Sequence, residues 1–437
     1  MSRGRRNTEG LLARVNFPLY TLQMLTNRHV LVAGGGGSAK TGVANGFEIF
    51  ELNYDGKRYV AKEVIRHETG PKVVMNCAAY SNSKYTYLAA GQESHCQLYK
   101  VQVTVEKEST DKDADVDNKA PNGVTDSSGL RNRKKDSKTS KNVGGSGYEN
   151  KVLKFKFLAA DSIQTDFGKA QSKDDKSDAE AMQRVVRISR CGKIMACGGI
   201  DGHVRLWLFP SLKPHKDIEA HTKELDDLDF SPNSKLLVSV SKDGRGLVWD
   251  VVTGKLVYEL KWVPLNGTKH LFKRCRFGVV EEDRRKSRLF TISNSLGTSS
   301  KHANGVITQW DGDSGKQLRQ VTVNETLSAL SVRDDGRFLA VGTMFSGTVH
   351  IYIGFSLQRA MTIPGAHSTF VTGLELLPAE GCAISSNSEA AVISISIDNK
   401  ICIHNLPYRR TLPPWLVIIV IVFVLFLTFA FCSYMGL

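Results

Sequence analysis

None of the eight cysteines in this 437-residue chain pairs with another as CxxC, and none joins histidines at zinc-ligand spacing. Cys77, Cys96, Cys191, Cys197, Cys275, Cys382, Cys402 and Cys432 are scattered, a pattern that argues for a reducing compartment in which most serve as small core residues. The opening MSRGRRNTEG lacks the apolar run of a secretory signal. Also missing are a zinc finger, a helix-turn-helix and an RNA-binding signature, as is any Ser/His/Asp set or carboxylate pair arranged for bond chemistry. Acidic residues fall short of basic ones, 44 against 58, and the net charge of +14 suits an acidic partner: nucleic acid, a membrane surface or a negatively charged protein.

Long apolar runs are absent until the end of the chain. From Trp415 to Phe431 it reads WLVIIVIVFVLFLTFAF without a charge, and the run extends to Met435. At about 1.5 Å per residue this is roughly 30 Å of helix, enough to cross a bilayer core. Core helices seldom stay apolar on every side for that length. Arg409 and Arg410 precede the run and no Lys or Arg follows it, so the positive-inside rule places everything before Trp415 in the cytosol. The expected segments are a juxtamembrane linker at 407–414, a transmembrane helix at 415–435 and a lumenal tail at 436–437. A span in this position should insert after synthesis, as tail anchors do, and the scarcity of charge after it favours the endoplasmic reticulum. The sequons at Asn266 and Asn324 would then lie in the cytosol and stay unglycosylated.

What fills the body is a repeat. An apolar strand ending in small residues, a tight polar turn and an alternating strand recur in IMACGGIDGHVRLWLF (194–209) and LLVSVSKDGRGLVWDV (236–251). Looser copies are YLAAGQESHCQLYKV (87–101), GVITQWDGDSGK (305–316), LAVGTMFSGTVHIYI (339–353) and AVISISIDNKICIHNL (391–406). Asp201-Gly202 and Asp243-Gly244 supply hairpin turns, and the flanking period of two marks half-buried strands. One such sheet cannot bury both of its faces alone, whereas radial packing around an axis covers them. The spacing of about 40 residues, with Trp249-Asp250 and Trp310-Asp311 as WD dipeptides, resembles the WD-repeat propeller. HVLVAGGGG and GFEIFELNY (46–54) complete a seventh unit, so the expectation is an all-β, seven-bladed WD-repeat β-propeller over 11–406, after a flexible 1–10 and before the single C-terminal helix.

That first unit contains GGGGSAKT, which is close to a phosphate-binding loop. The GxxxxGK[ST] pattern needs Gly before the Lys, and here Ala39 precedes Lys40 and Thr41. A phosphate-binding lysine must also open a helix, yet VANGFEIFEL continues with Asn-Gly turn chemistry and strand alternation. The stretch is a long turn between two strands of blade one, where the other blades should need about two to four residues.

Two segments interrupt the repeats. Residues 106–150 carry acidic EKESTDKDADVD, then basic RNRKKDSKTSK (131–141), with almost no apolar residue; this reads as a disordered insertion in blade two, whose outer strand resumes over 151–167. Residues 169–181 form a shorter polar linker. His67, His221, His302 and His367 fall in loop-like contexts near blade starts, and the AHT (220–222) and AHS (366–368) triplets match the histidine that braces a WD blade.

A degenerate seven-bladed propeller, a glycine-rich insertion in its first blade and a C-terminal anchor together resemble the prolactin regulatory element-binding protein family, the endoplasmic-reticulum exchange factors for the Sar-type small GTPase in COPII assembly. The resemblance runs from about Phe17 to the C-terminus, the polar insertion aside. It implies guanine-nucleotide exchange without bond chemistry, with the Sar-type GTPase, the endoplasmic reticulum membrane and other COPII assembly factors as partners. It also implies that the exchange element is Gly34, Gly35, Gly36, Gly37, Ser38, Ala39, Lys40, Thr41, Gly42, Val43, Ala44 and Asn45. Within this loop, backbone carbonyls among Gly34, Gly35, Gly36, Gly37, Ser38, Gly42 and Asn45 would hold a structural potassium ion; consecutive glycines let carbonyls converge without Cβ clashes. Two other readings remain open: a DNA-binding transcriptional regulator using the basic run, and a non-catalytic propeller scaffold.

Overall fold

The computed structural model describes residues 10–37, 42–82, 85–107, 151–168, 180–261, 269–280, 286–296, 304–380, 387–408 and 414–436. The basic run, His302, most of the 106–150 insertion and of the 169–181 linker, Ser38 to Thr41, and Arg409 with Arg410 lie outside them.

Seven four-stranded antiparallel sheets form the ring expected from the repeat. The second strands are apolar on both faces; Leu236–Ser241 of blade four is buried along nearly its whole length. Such a strand needs cover above and below, and neighbouring blades provide it. Each apolar cluster accordingly lies between two blades rather than inside one. Leu206 of blade three packs with Leu225, Leu247 and Trp249 of blade four, for example, and Ile393 and Ile401 of blade seven pack with Val30 and Phe50 of blade one. Outer strands are polar, as in the exposed KPHKDIE of blade three.

Blade seven is closed by both ends of the chain. Its inner three strands are Val371–Leu376, Ala390–Ser396 and Lys400–Leu406, and its outer strand is Leu11–Arg14, with Leu11 opposite Cys402 and Arg14 opposite Lys400. Blade two pairs its long outer strands, His95–Lys107 and Lys151–Gln164, up to Lys107 opposite Lys151, so the insertion leaves from the end of that hairpin.

The antiparallel meander sorts connections onto two faces. On one, the link between second and third strands meets the link between blades: Gly35 N donates to Pro18 O (3.1 Å), Ile200 N to Met182 O (3.2 Å) and Met344 N to Thr326 O (2.8 Å). On the other, the remaining two hairpin links of each blade meet, as where Phe209 N donates to Lys193 O (2.8 Å) and Gly354 N to Arg337 O (2.6 Å). The chain leaves the propeller after Leu406 on this second face, and the helix Pro414–Met435 follows, its Trp415–Met435 stretch wholly unburied.

The WD histidine braces two blades. His221 Nδ1 bonds Asp243 Oδ2 (2.9 Å) and its Nε2 bonds Ser239 Oγ (2.8 Å), which also accepts from Trp249 Nε1 (2.9 Å). In blade seven His367 makes the same bonds to Asp398 (3.0 Å) and Ser394 (2.8 Å), with His404 in the place of the tryptophan. His67 departs from the loop-like expectation: it lies within the outer strand Tyr59–Glu68 of blade one, stacked on Phe47 at 4.9 Å.

Candidate functional site

The glycine-rich stretch connects His29–Gly34 to Gly46–Tyr54, the second and third strands of blade one, with Gly34 opposite Gly46. A strand, not a helix, follows it, and the phosphate-binding reading ends there. The corresponding links in blades two, three, four and seven are residues 93–94, 200–202, 242–245 and 397–399, as short as expected. Blade six uses 344–348 and blade five 296–304, so the expectation of two to four residues fails twice. Length alone does not set the blade-one loop apart; its fastening does.

The described part of the loop is tied down at four points. Gly35 N donates to Pro18 O in the link from blade seven. Val43 packs against the apolar cluster that contains Val15 and Phe17. Asn45, only 5% exposed, turns its side chain into the loop: Gly37 N donates to its Oδ1 (2.9 Å), while its Nδ2 donates to Gly37 O (3.2 Å) and Gly70 O (3.0 Å). Its main-chain carbonyl accepts from Thr69 N at 3.0 Å. One amide side chain therefore joins both limbs of the loop to the following connection.

This arrangement explains why Gly35 is glycine. Its φ is +145°, and an added Cβ would sit 2.1 Å from Asn45 Oδ1, in the space that the clamp occupies. The Asn-Gly pair at 45–46 is no turn, contrary to the sequence reading. Gly46 opens the strand because a Cβ there would lie 2.2 Å from His67 O.

Beneath the loop, Phe17 carries the Arg66 guanidinium 5.8 Å from its ring centre, and Arg66 reaches Glu48 at 3.6 Å. Burial raises the Glu48 carboxyl, helped by Glu63 and opposed by Arg66. Burial also lowers His67, keeping the imidazole against Phe47 uncharged at neutral pH.

The residues present fit a weakly hydrated monovalent cation. The carbonyls of Gly35, Gly36, Gly42, Val43 and Ala44 make no hydrogen bond among the described residues. Also among the described residues, no group of three His, Cys, Asp or Glu is placed to hold a metal. The donor set at the loop is thus neutral oxygen, the kind that replaces the hydration shell of potassium. The clamp brings Gly37 to Asn45, and the ladder sets Gly34 opposite Gly46; Ser38, Ala39, Lys40 and Thr41 lie outside the described residues. Sequence reasoning missed the Asn45 clamp and the Val43 contact. The only signal was the placement of a polar and an apolar residue at the loop's closing end.

The WD domain, G-beta repeat family matches residues 183–207 and 212–250. Over 434 residues the chain is 35% identical to the "Guanine nucleotide-exchange factor SEC12" of Mus musculus, covering 97% of this chain and 96% of the mouse protein. The Rattus norvegicus protein of the same name is 34% identical over the same shares. "SEC12-like protein 1" of Arabidopsis thaliana is 26% identical over 48% of this chain and 49% of its own.

Proposed function

The chain belongs to the SEC12 family of guanine nucleotide-exchange factors, and from that premise we propose that it accelerates GDP release from a Sar-type small GTPase at the endoplasmic reticulum membrane, the step that starts COPII vesicle formation. The exchange element is the blade-one loop from Gly34 to Asn45. What carries this reading is the clamp: Asn45 fixes the base of a glycine loop that is set on a closed ring of blades.

Exchange makes and breaks no covalent bond. A factor that binds the nucleotide-free GTPase more tightly than the GDP-bound form lowers the affinity for GDP by the same ratio. A loop ordered before contact gives up little conformational entropy on docking, so more of the contact energy is available to weaken nucleotide binding. The carbonyls of Gly35, Gly36 and Gly42, which make no hydrogen bond among the described residues, would hold a potassium ion, which when bound would supply a positive centre for these neutral oxygens. Asn45 and Val43 hold the two limbs in register, and the Gly35 amide fixes the entry at Pro18.

The C-terminal helix is the membrane anchor, with the propeller on the cytosolic side, residues 436–437 in the lumen, and other COPII assembly factors within reach. The basic run on which DNA binding would rest lies outside the described residues, and the family relationship favours exchange. The test is release of fluorescent GDP from a Sar-type GTPase by the full-length chain in vesicles with potassium buffer. Release no faster than the spontaneous rate refutes the proposal, and binding without faster release means a scaffold.

A further inference from the structure

Phe345 is 74% exposed in the blade-six link between Phe338–Thr343 and Val349–Ile353, on the same face as the glycine loop. Its position is not slack. Thr343 Oγ1 bonds Ser346 Oγ (2.9 Å) and accepts from Thr348 N (2.9 Å), Ser346 Oγ donates to Glu325 and lies 2.7 Å from Thr348 Oγ1, and Met344 N donates to Thr326 O. The neighbouring connection closes over Gly347, where an added Cβ would lie 2.2 Å from His367 O. These bonds fix the residues on either side of Phe345, and its ring, turned to water, adds nothing to the core.

From this loop a chain of direct contacts runs to the exchange element. Gly347 abuts residues 367–369, next comes Phe370, 38% exposed at the start of blade seven's inner strand, and then Thr372, whose Oγ1 donates to Leu19 O (2.8 Å) beside Pro18. Pro18 O in turn holds the Gly35 amide. Blades six, seven and one thus present Phe345, Phe370 and the glycine loop in one continuous arc.

We propose that Phe345 and Phe370 are the apolar anchor for the GTPase on which the glycine loop acts, binding an apolar surface beside its nucleotide site; this rests on the exchange reading above. Rigid aromatic side chains set in advance make efficient anchors, since little rotamer freedom is lost on contact. The anchor supplies affinity and the loop supplies release. Their variants should therefore fail differently.

The experiment titrates full-length protein in vesicles against GDP-loaded Sar-type GTPase, comparing wild type with Phe345→Ala, Phe345→Asp, Phe370→Ala and Val252→Ala. Val252 is 72% exposed in a link on the opposite face and serves as the control. Thermal unfolding confirms that each variant folds. The phenylalanine variants should need roughly 10- to 100-fold more protein for half-maximal release, with the plateau rate kept and Val252→Ala unchanged. Wild-type release with unshifted titrations for the folded Phe345 variants overturns the anchor and leaves exchange standing. Absence of release by wild type overturns both.

Discussion

Replacing Asn45 by alanine removes three hydrogen bonds and tests the clamp directly. A neutral bond contributes about 0.5–1.5 kcal/mol net, and three simple increments would overstate the loss because water reaches the half-exposed Gly37 and exposed Gly70. About 1–2 kcal/mol remains, a factor of roughly 5–30 in the ratio of opened to ordered loop. The loss falls on local ordering rather than global unfolding, because the seven blades do not depend on these bonds. Amide exchange at Gly37, read by mass spectrometry on short peptides, should accelerate by up to that factor, and catalysed GDP release should fall by no more than the same factor. Asn45→Asp is the sharper variant. It keeps an acceptor for Gly37 N but turns a carboxylate oxygen toward the carbonyls of Gly37 and Gly70, so it should lose more than alanine does. Unchanged exchange at Gly37 in Asn45→Ala, or wild-type release by Asn45→Asp, would refute the reasoning.

Other perturbations reach different parts of the molecule. Gly35→Ala places a methyl 2.1 Å from Asn45 Oδ1 and 2.7 Å from Asn45 Cα, so it should reproduce the Asn45→Ala loss in release, with a lower melting temperature because the main chain must also shift. Sodium or lithium in place of potassium should slow release by wild type, and a rate indifferent to the cation removes the ion from the account. Burial, with His367 adding to it, lowers the His404 pKa to about 4. The unfolded chain therefore takes up the proton first as pH falls; the His404 contribution is full above about pH 6.5 and is lost toward pH 4, on the order of 3 kcal/mol. His404→Gln should flatten urea-unfolding stability across that window, and an unaltered slope would contradict it. Deleting residues 1–14 strips the outer strand from blade seven and should lower the melting temperature by several degrees, read by circular dichroism.

The propeller was legible because its signals are local. Asp-Gly turns, strands of period two and the Trp249 and Trp310 dipeptides recur at one spacing, and each is decided by neighbours in sequence. Ring closure was not, since LLAR at 11–14 is too short to show a period and finds its partner, Lys400–Leu406, at the far end of the chain. The loop announced itself through four glycines, yet its fastening depends on Pro18, Gly70 and the Phe17 cluster, which only folding brings beside Asn45 and Val43. The same limit hid Phe345 and Phe370: no pattern in sequence says that two phenylalanines in separate blades share a face with a third blade's loop.

The placement of the outer strand of blade seven also decides how the protein bears force. Lys400–Leu406 lies between Ala390–Ser396 and Leu11–Arg14 and runs on into the segment that leads to the helix. A pull from that helix enters the ring through this one strand, lengthwise, and is shared by the ladders on its two sides. Peeling would have to shear both at once rather than open them bond by bond. Tension applied through the helix would therefore strain the latch between the chain's two ends before it disturbed the loop of blade one.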